Sequence, residues 1–209
     1  MSEHGAPASP VPAGLAEPER LLYRRIAEGV RAAVSPAQAL ERAVDALGGA
    51  FGRYSWVGVY LVTGDELALG PWRGPAATAH VRIPIGQGVC GAAARSGTIE
   101  NVPDVSQDPR YLACFTSTRS ELVVPITRDT LVFGEIDVDS DLPAAFTPAD
   151  ERLLAAVAHL LLPAVQRLGG VGRPVPGEPG GVVARAGGND GTPPAHSKLQ
   201  GDHQWFKEV

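Results

Sequence analysis

The chain has 209 residues, a formal net charge of −5, 44% hydrophobic residues and two cysteines. That hydrophobic share supports a real core, and no apolar run is long enough to span a bilayer. The acidic balance offers no electrostatic footprint for nucleic acid. Residues 1–7 lack the basic and apolar regions of a secretory signal, which points to a cytoplasmic, reducing setting. Disulfides in such a setting are more often transient and catalytic than structural.

Residues 1–18 are rich in proline, alanine, glycine and serine and read as a disordered arm. From Glu19, the recurrence of Leu22, Ile26, Val30 and Val34 at about one turn predicts a helix. Ser35, followed by Pro36 and then Gln38, starts a second helix that Gly48 and Gly49 end. The aromatic and β-branched run 54–62 predicts a strand, turned by Thr63, Gly64 and Asp65 into a partner at 66–69. Residues 70–79 read as a loop and 81–85 as a short strand. Residues 86–120 read as mostly irregular, with a small helix at 92–95 and a short strand near Ile99. A second hairpin pairs 122–126 with 131–138 across Arg128 and Asp129. Thr147 caps a last helix whose stripe is Leu153, Leu154, Val157, Leu160, Leu161 and Leu168, and Pro163 is expected to kink or end it. Glycine and proline dominate 169–209, read as a disordered tail that includes the QWFK segment at 204–207. This order predicts an α+β domain at 19–168: an antiparallel sheet with helices on one face and a long irregular insertion.

Cys90 and Cys114 both fall in loop-like segments, and two thiols with nearby acids are the raw material of thiol redox chemistry. A nucleophilic cysteine needs thiolate character, which cations promote and carboxylates oppose. Arg110 and Arg119 flank Cys114 in sequence. A disulfide between the two would need Cα atoms within roughly 7 Å, which the intervening chain permits without requiring it. Glu135, Asp137 and Asp139 alternate along a strand and so share one face. Like charges that close raise a carboxyl pKa, as a general acid requires, although the same alternation fits an ordinary half-exposed sheet. Trp56 and Tyr60 also share a face, suited either to boxing a methyl-sulfur or cationic group or to plain packing. The G-x-G-x-x-G pattern at 86–91 lacks the long helix and parallel strand of a dinucleotide site. His80, Cys90 and Cys114 show no short-range metal-ligand spacing, so neither metal nor organic cofactor is expected.

Taken together, WVGVYL at 56–61, LGPW at 69–72, VRIPIGQGVCG at 81–91, LAC at 112–114, SELVVPI at 120–126 and IDVDS at 136–140 resemble the free methionine-(R)-sulfoxide reductases. These are GAF-domain enzymes, and the likeness covers about 19–168. The resemblance implies a GAF-like fold whose irregular insertion forms the active-site pocket. It implies Cys114 as attacking thiol and Cys90 as resolving thiol. Glu121, Asp137 and Asp139 would hold free methionine sulfoxide and assist its oxygen, and Trp56 and Tyr60 would wall its methyl-sulfur end. A thioredoxin-type reductant and a homodimer are implied as partners. Two departures stand out: His80 sits where many members carry a third cysteine, and Glu135 replaces an apolar residue. A GAF module that binds a small ligand without catalysis is the alternative.

Overall fold

The computed structural model describes residues 11–176. Two helices open it, α1 (Glu17–Arg31) and α2 (Pro36–Gly48). The cap expected at Ser35 forms: its hydroxyl accepts from Gln38 N at 3.1 Å, and Gln38 Oε1 accepts from Val34 N at 2.9 Å. The strands are β1 (Trp56–Thr63), β2 (Glu66–Arg73), β3 (Arg82–Pro84), β4 (Glu100–Val102), β5 (Ser120–Arg128), β6 (Leu131–Ser140) and β7 (Arg173–Pro174). They form one antiparallel sheet in the order β3-β2-β1-β6-β5-β4, with β7 beside β6. Two further helices, α3 (Gly88–Ser96) and α4 (Pro148–Arg167), complete the α+β domain.

Strand alternation divides the interior in two. Val57, Val59 and Leu61 of β1, Leu122, Val124 and Ile126 of β5, and Ile136 and Val138 of β6 pack with α1, α2 and α4. The opposite face carries Trp56, Tyr60, Val62 and Val123, covered by α3 through Val89, Cys90, Ala93 and Ala94. The expectation of helices on one face therefore holds for three of them, while α3 lies on the other. In β6, Gly134 pairs with Ile126 and Val132 with Thr127, leaving Phe133 out of register. This bulge lets Phe133 join the helix layer and still turns Glu135 toward the α3 side.

Several boundaries move. β2 runs on to Arg73, through what reads as loop. α4 continues through Pro163 to Arg167 because that proline is exposed, as is His159, whose carbonyl loses its helical donor. The helix at 92–95 is longer, and Cys90 belongs to it rather than to a loop. Val11 packs on the core and Leu15 is buried, ahead of a helix that begins at Glu17, so the arm is structured from there. Gly169 does not begin the tail: Val171 N donates to Val62 O at 3.2 Å and Val175 N to Thr130 O at 3.0 Å. The rest of the expected arm and tail, including QWFK, lies outside the described residues.

Candidate functional site

The sheet face under α3 gathers four acids. Asp139 lies between Glu121 on β5 and Trp56 on β1, Asp137 between Val123 and Gly58, and Glu135 between Pro125 and Tyr60. All four are buried, from 0% exposure for Glu135 to 6% for Glu121. Cys90 enters from α3 with its Sγ 3.6 Å from Glu121 Oε1. One ligating atom each from Cys90, Glu121 and Asp137 lie within 4.8 Å of one another. Among the described residues no lysine, arginine or histidine forms an ion pair with any of these acids. Burial is the main reason that all four carboxyls are held above the usual range. Asp137 is raised to about 7. Its charge pushes Glu121, Glu135 and Asp139 further in the same direction.

Cys114 sits in the loop between β4 and β5 and is half-buried. Burial raises its thiol pKa, the charges of Asp137, Asp139 and Glu121 add to that, and a hydrogen bond with Thr78 works against it. Arg110 does not relieve the thiol: it pairs with Asp108 at 2.7 Å and Glu100 at 3.0 Å. Cys90 is raised as well, by burial first and then by Asp137, Glu135 and Glu121. Both thiols are free. The loop after β2 ties the site shut. Tyr60 Oη donates to His80 O at 2.9 Å, His80 N donates to Thr78 Oγ1 at 3.1 Å, and His80 Nε2 lies 3.3 Å from Ala113 O.

An aromatic wall completes the site. The Trp56 indole stacks on Trp72 (6.3 Å between centroids, 12° between planes) and tilts against Phe115 (6.2 Å, 47°). It lies across Gly58, where a Cβ would stand 2.2 Å from its Cη2, and against Gly74, where one would stand 2.2 Å from its Cδ1. Among buried polar atoms here, Trp56 Nε1, Asp137 Oδ1 and both oxygens of Glu135 have no hydrogen-bond partner among the described residues. Such orphaned groups are costly unless a polar ligand meets them.

The GAF-domain family profile matches residues 35–165. The chain is 38% identical over 107 residues to the free methionine-R-sulfoxide reductase of Escherichia coli, covering 51% of this chain and 64% of that one. It is similar to the structure of the type II free methionine-R-sulfoxide reductase from Thermoplasma acidophilum, with 39% identity, a TM-score of 0.61, and coverage of 63% of this chain and 93% of that one. A third relative is the Neisseria meningitidis free methionine-R-sulfoxide reductase, solved in complex with its substrate: 33% identity, TM-score 0.65, 75% of this chain and 95% of that one. The chain belongs to the free methionine-R-sulfoxide reductases of the GAF-domain family.

Within this domain, the structure brings Cys90, Glu121, Asp137, Asp139, Trp56 and Tyr60 to one side of the sheet. Cys114 reaches the same region by a loop, within electrostatic range of the acids. The half-exposed sheet that the alternation also fits is excluded, since Glu135, Asp137 and Asp139 are buried. Sequence reasoning missed Thr78, Trp72 and Phe115. Thr78 has no local signal, because its relation to Cys114 spans two loops. Trp72 could have been found by extending β2, and Phe115 by its place beside Cys114.

Proposed function

We propose that this protein reduces free L-methionine (R)-S-oxide to L-methionine with Cys114 as nucleophile. The observation that carries this reading is the buried cluster of acids with no cation paired to it among the described residues, set beside a half-buried thiol. Glu121, Asp137 and Asp139 supply the counter-charge for an α-ammonium group, which a free amino acid has and an internal peptide residue lacks. The unpartnered Trp56 Nε1 supports a donor role toward a substrate oxygen. Tyr60, Trp56 and Phe115 offer the methyl-sulfur end an apolar, polarisable wall.

In the proposed reaction the Cys114 thiolate attacks the sulfoxide sulfur. A carboxyl that burial keeps protonated (Asp137, Asp139 or Glu121) gives its proton to the oxygen, which passes to Cys114 as a sulfenic acid while methionine leaves. The Cys114 thiol proton returns to the carboxyl group. Cys90 then condenses with the sulfenic acid, forming the S–S bond and releasing water. A thioredoxin-type dithiol reduces that disulfide by exchange. His80 cannot act as a third thiol; its contacts with Thr78 and Ala113 support a positioning role for the loop over Cys114. A cytoplasmic setting and a homodimer complete the proposal, the latter open to light scattering.

NADPH oxidation coupled through thioredoxin and its reductase tests this directly. Wild type should turn over free methionine (R)-sulfoxide and Cys114→Ser should not. The raised Cys114 pKa favours one rival, a GAF module that binds a small ligand without turnover. A protein that methionine sulfoxide stabilises thermally but that forms no methionine would establish the rival.

A further inference from the structure

Glu135 is the one acid of the cluster that the reductase reading leaves without a task. It is fully buried, both of its oxygens lack a hydrogen-bond partner among the described residues, and strand alternation puts it on the same face as Asp137. It lies close enough to Asp137 and Cys90 for each to perturb its ionisation. Beside it, Cys90 Sγ and single oxygens of Glu121 and Asp137 already lie within 4.8 Å of one another. Asp137 Oδ1 is likewise unpartnered. Three of these groups converge, Glu135 stands beside them on the same face, and no cation among the described residues meets the orphaned oxygens of Asp137 and Glu135.

We propose that Cys90, Glu121, Asp137 and Glu135 form a binding site for a divalent zinc-like ion, and that this ion competes with substrate. The donor set selects the metal class. One thiolate with three carboxylates suits a borderline cation in a four-coordinate cage, with Zn–S near 2.3 Å and Zn–O near 2.0–2.2 Å. Ligand atoms in such a cage sit roughly 3.5 Å apart, so Cys90, Glu121 and Asp137 need only a small contraction, and Glu135 has to turn in as the fourth ligand. Magnesium and calcium avoid sulfur and prefer shells made of oxygen alone, which a site that includes the Cys90 thiol does not offer. A metal ion also deprotonates the thiol that coordinates it, which overcomes the effect of burial on Cys90. The competition part rests on the proposed function: a bound ion would take the acids that receive the ammonium group and withhold Cys90 from Cys114.

Cobalt(II), a spectroscopic stand-in for zinc, tests the site on the full chain after chelator treatment. One equivalent should give a thiolate-to-cobalt charge-transfer band together with tetrahedral d–d absorption. Cys90→Ser should lose the charge-transfer band, and Cys114→Ser should keep it. Glu135→Gln, isosteric and checked by its melting curve, should weaken cobalt binding at least about tenfold. Zinc should displace cobalt, and free methionine sulfoxide should raise the apparent Kd for cobalt. Absence of the band in wild type, its survival in Cys90→Ser, or unchanged affinity in Glu135→Gln would overturn the proposal. Chelator-treated wild type that binds cobalt as expected but forms no methionine would remove the reductase reading and leave the metal site standing.

Discussion

Gly58 is the position where one methyl group should disturb the site most legibly. It lies opposite Asp137 on β6 and under the face of the Trp56 indole. An added Cβ would stand 2.2 Å from Cη2 and 2.6 Å from Cζ3 of that ring. Ordinary carbon contact is about 3.5 Å, so the indole would have to retreat by about 1.3 Å. Its retreat is blocked, because Gly74 closes on the other end of the ring and Trp72 and Phe115 flank it. Overpacking of this kind costs about 1–3 kcal/mol. The gain from replacing a strand glycine by alanine is only about 0.5–1 kcal/mol, so the clash wins. Gly58→Ala should therefore lose about 1–2 kcal/mol in urea unfolding. It should also raise KM for free methionine sulfoxide more than it lowers kcat. Gly52→Ala, where a Cβ meets nothing within 4 Å, serves as control and should stay within about 0.5 kcal/mol of wild type. Unchanged stability and KM in Gly58→Ala would refute the argument that Trp56 is clamped over this glycine as the substrate wall.

Asp150 tests the electrostatics away from the site. It is fully buried and accepts from Tyr54 Oη at 2.6 Å and from Thr147 N and Oγ1 at 2.8 Å, and it pairs with Arg53. Burial pushes its pKa up, but hydrogen bonds from Tyr54, Thr147 and Arg53 outweigh that and hold it below the usual value. A depressed carboxyl stabilises the fold above its unfolded pKa, and the contribution fades as pH falls through the folded value. Asp150→Asn should cost about 3–5 kcal/mol at neutral pH, as loss of a partner in a buried pair does, and the penalty should shrink below about pH 4. A penalty that is the same at pH 7 and pH 3 would contradict this. Cys90→Ser should still release methionine once but leave a sulfenic acid at Cys114, detected by mass after trapping with a 1,3-diketone. Thioredoxin-coupled turnover equal to wild type would remove Cys90 from recycling.

The sheet and the acids were legible because a strand has a period of two. Alternation put Glu135, Asp137 and Asp139 on one side and Ile136 and Val138 on the other, as they are. Alternation could not say which side was dry, since that depends on α3 covering it. Cys90 was misplaced for a local reason: Gly86 and Gly88 read as loop, and both take positive φ, yet the second opens a helix. The early end of α4 allowed for at Pro163 does not occur, because a proline on an exposed helix face costs less than one facing the core. The contacts joining Tyr60, His80, Thr78 and Cys114 connect residues far apart in sequence, through loops without periodicity. No pattern along the chain encodes them. Family resemblance named the residues of the site, and the structure adds that their carboxyls are buried together without a paired lysine, arginine or histidine among the described residues.

The most direct test of the central claim is a single turnover without external reductant. Fully reduced protein is mixed with one equivalent of free L-methionine (R)-sulfoxide, and methionine and remaining thiols are counted together. The account predicts one methionine per chain with loss of both thiols in wild type, and no methionine in Cys114→Ser. Methionine formation that persists in Cys114→Ser, or is absent from folded wild type, would contradict it.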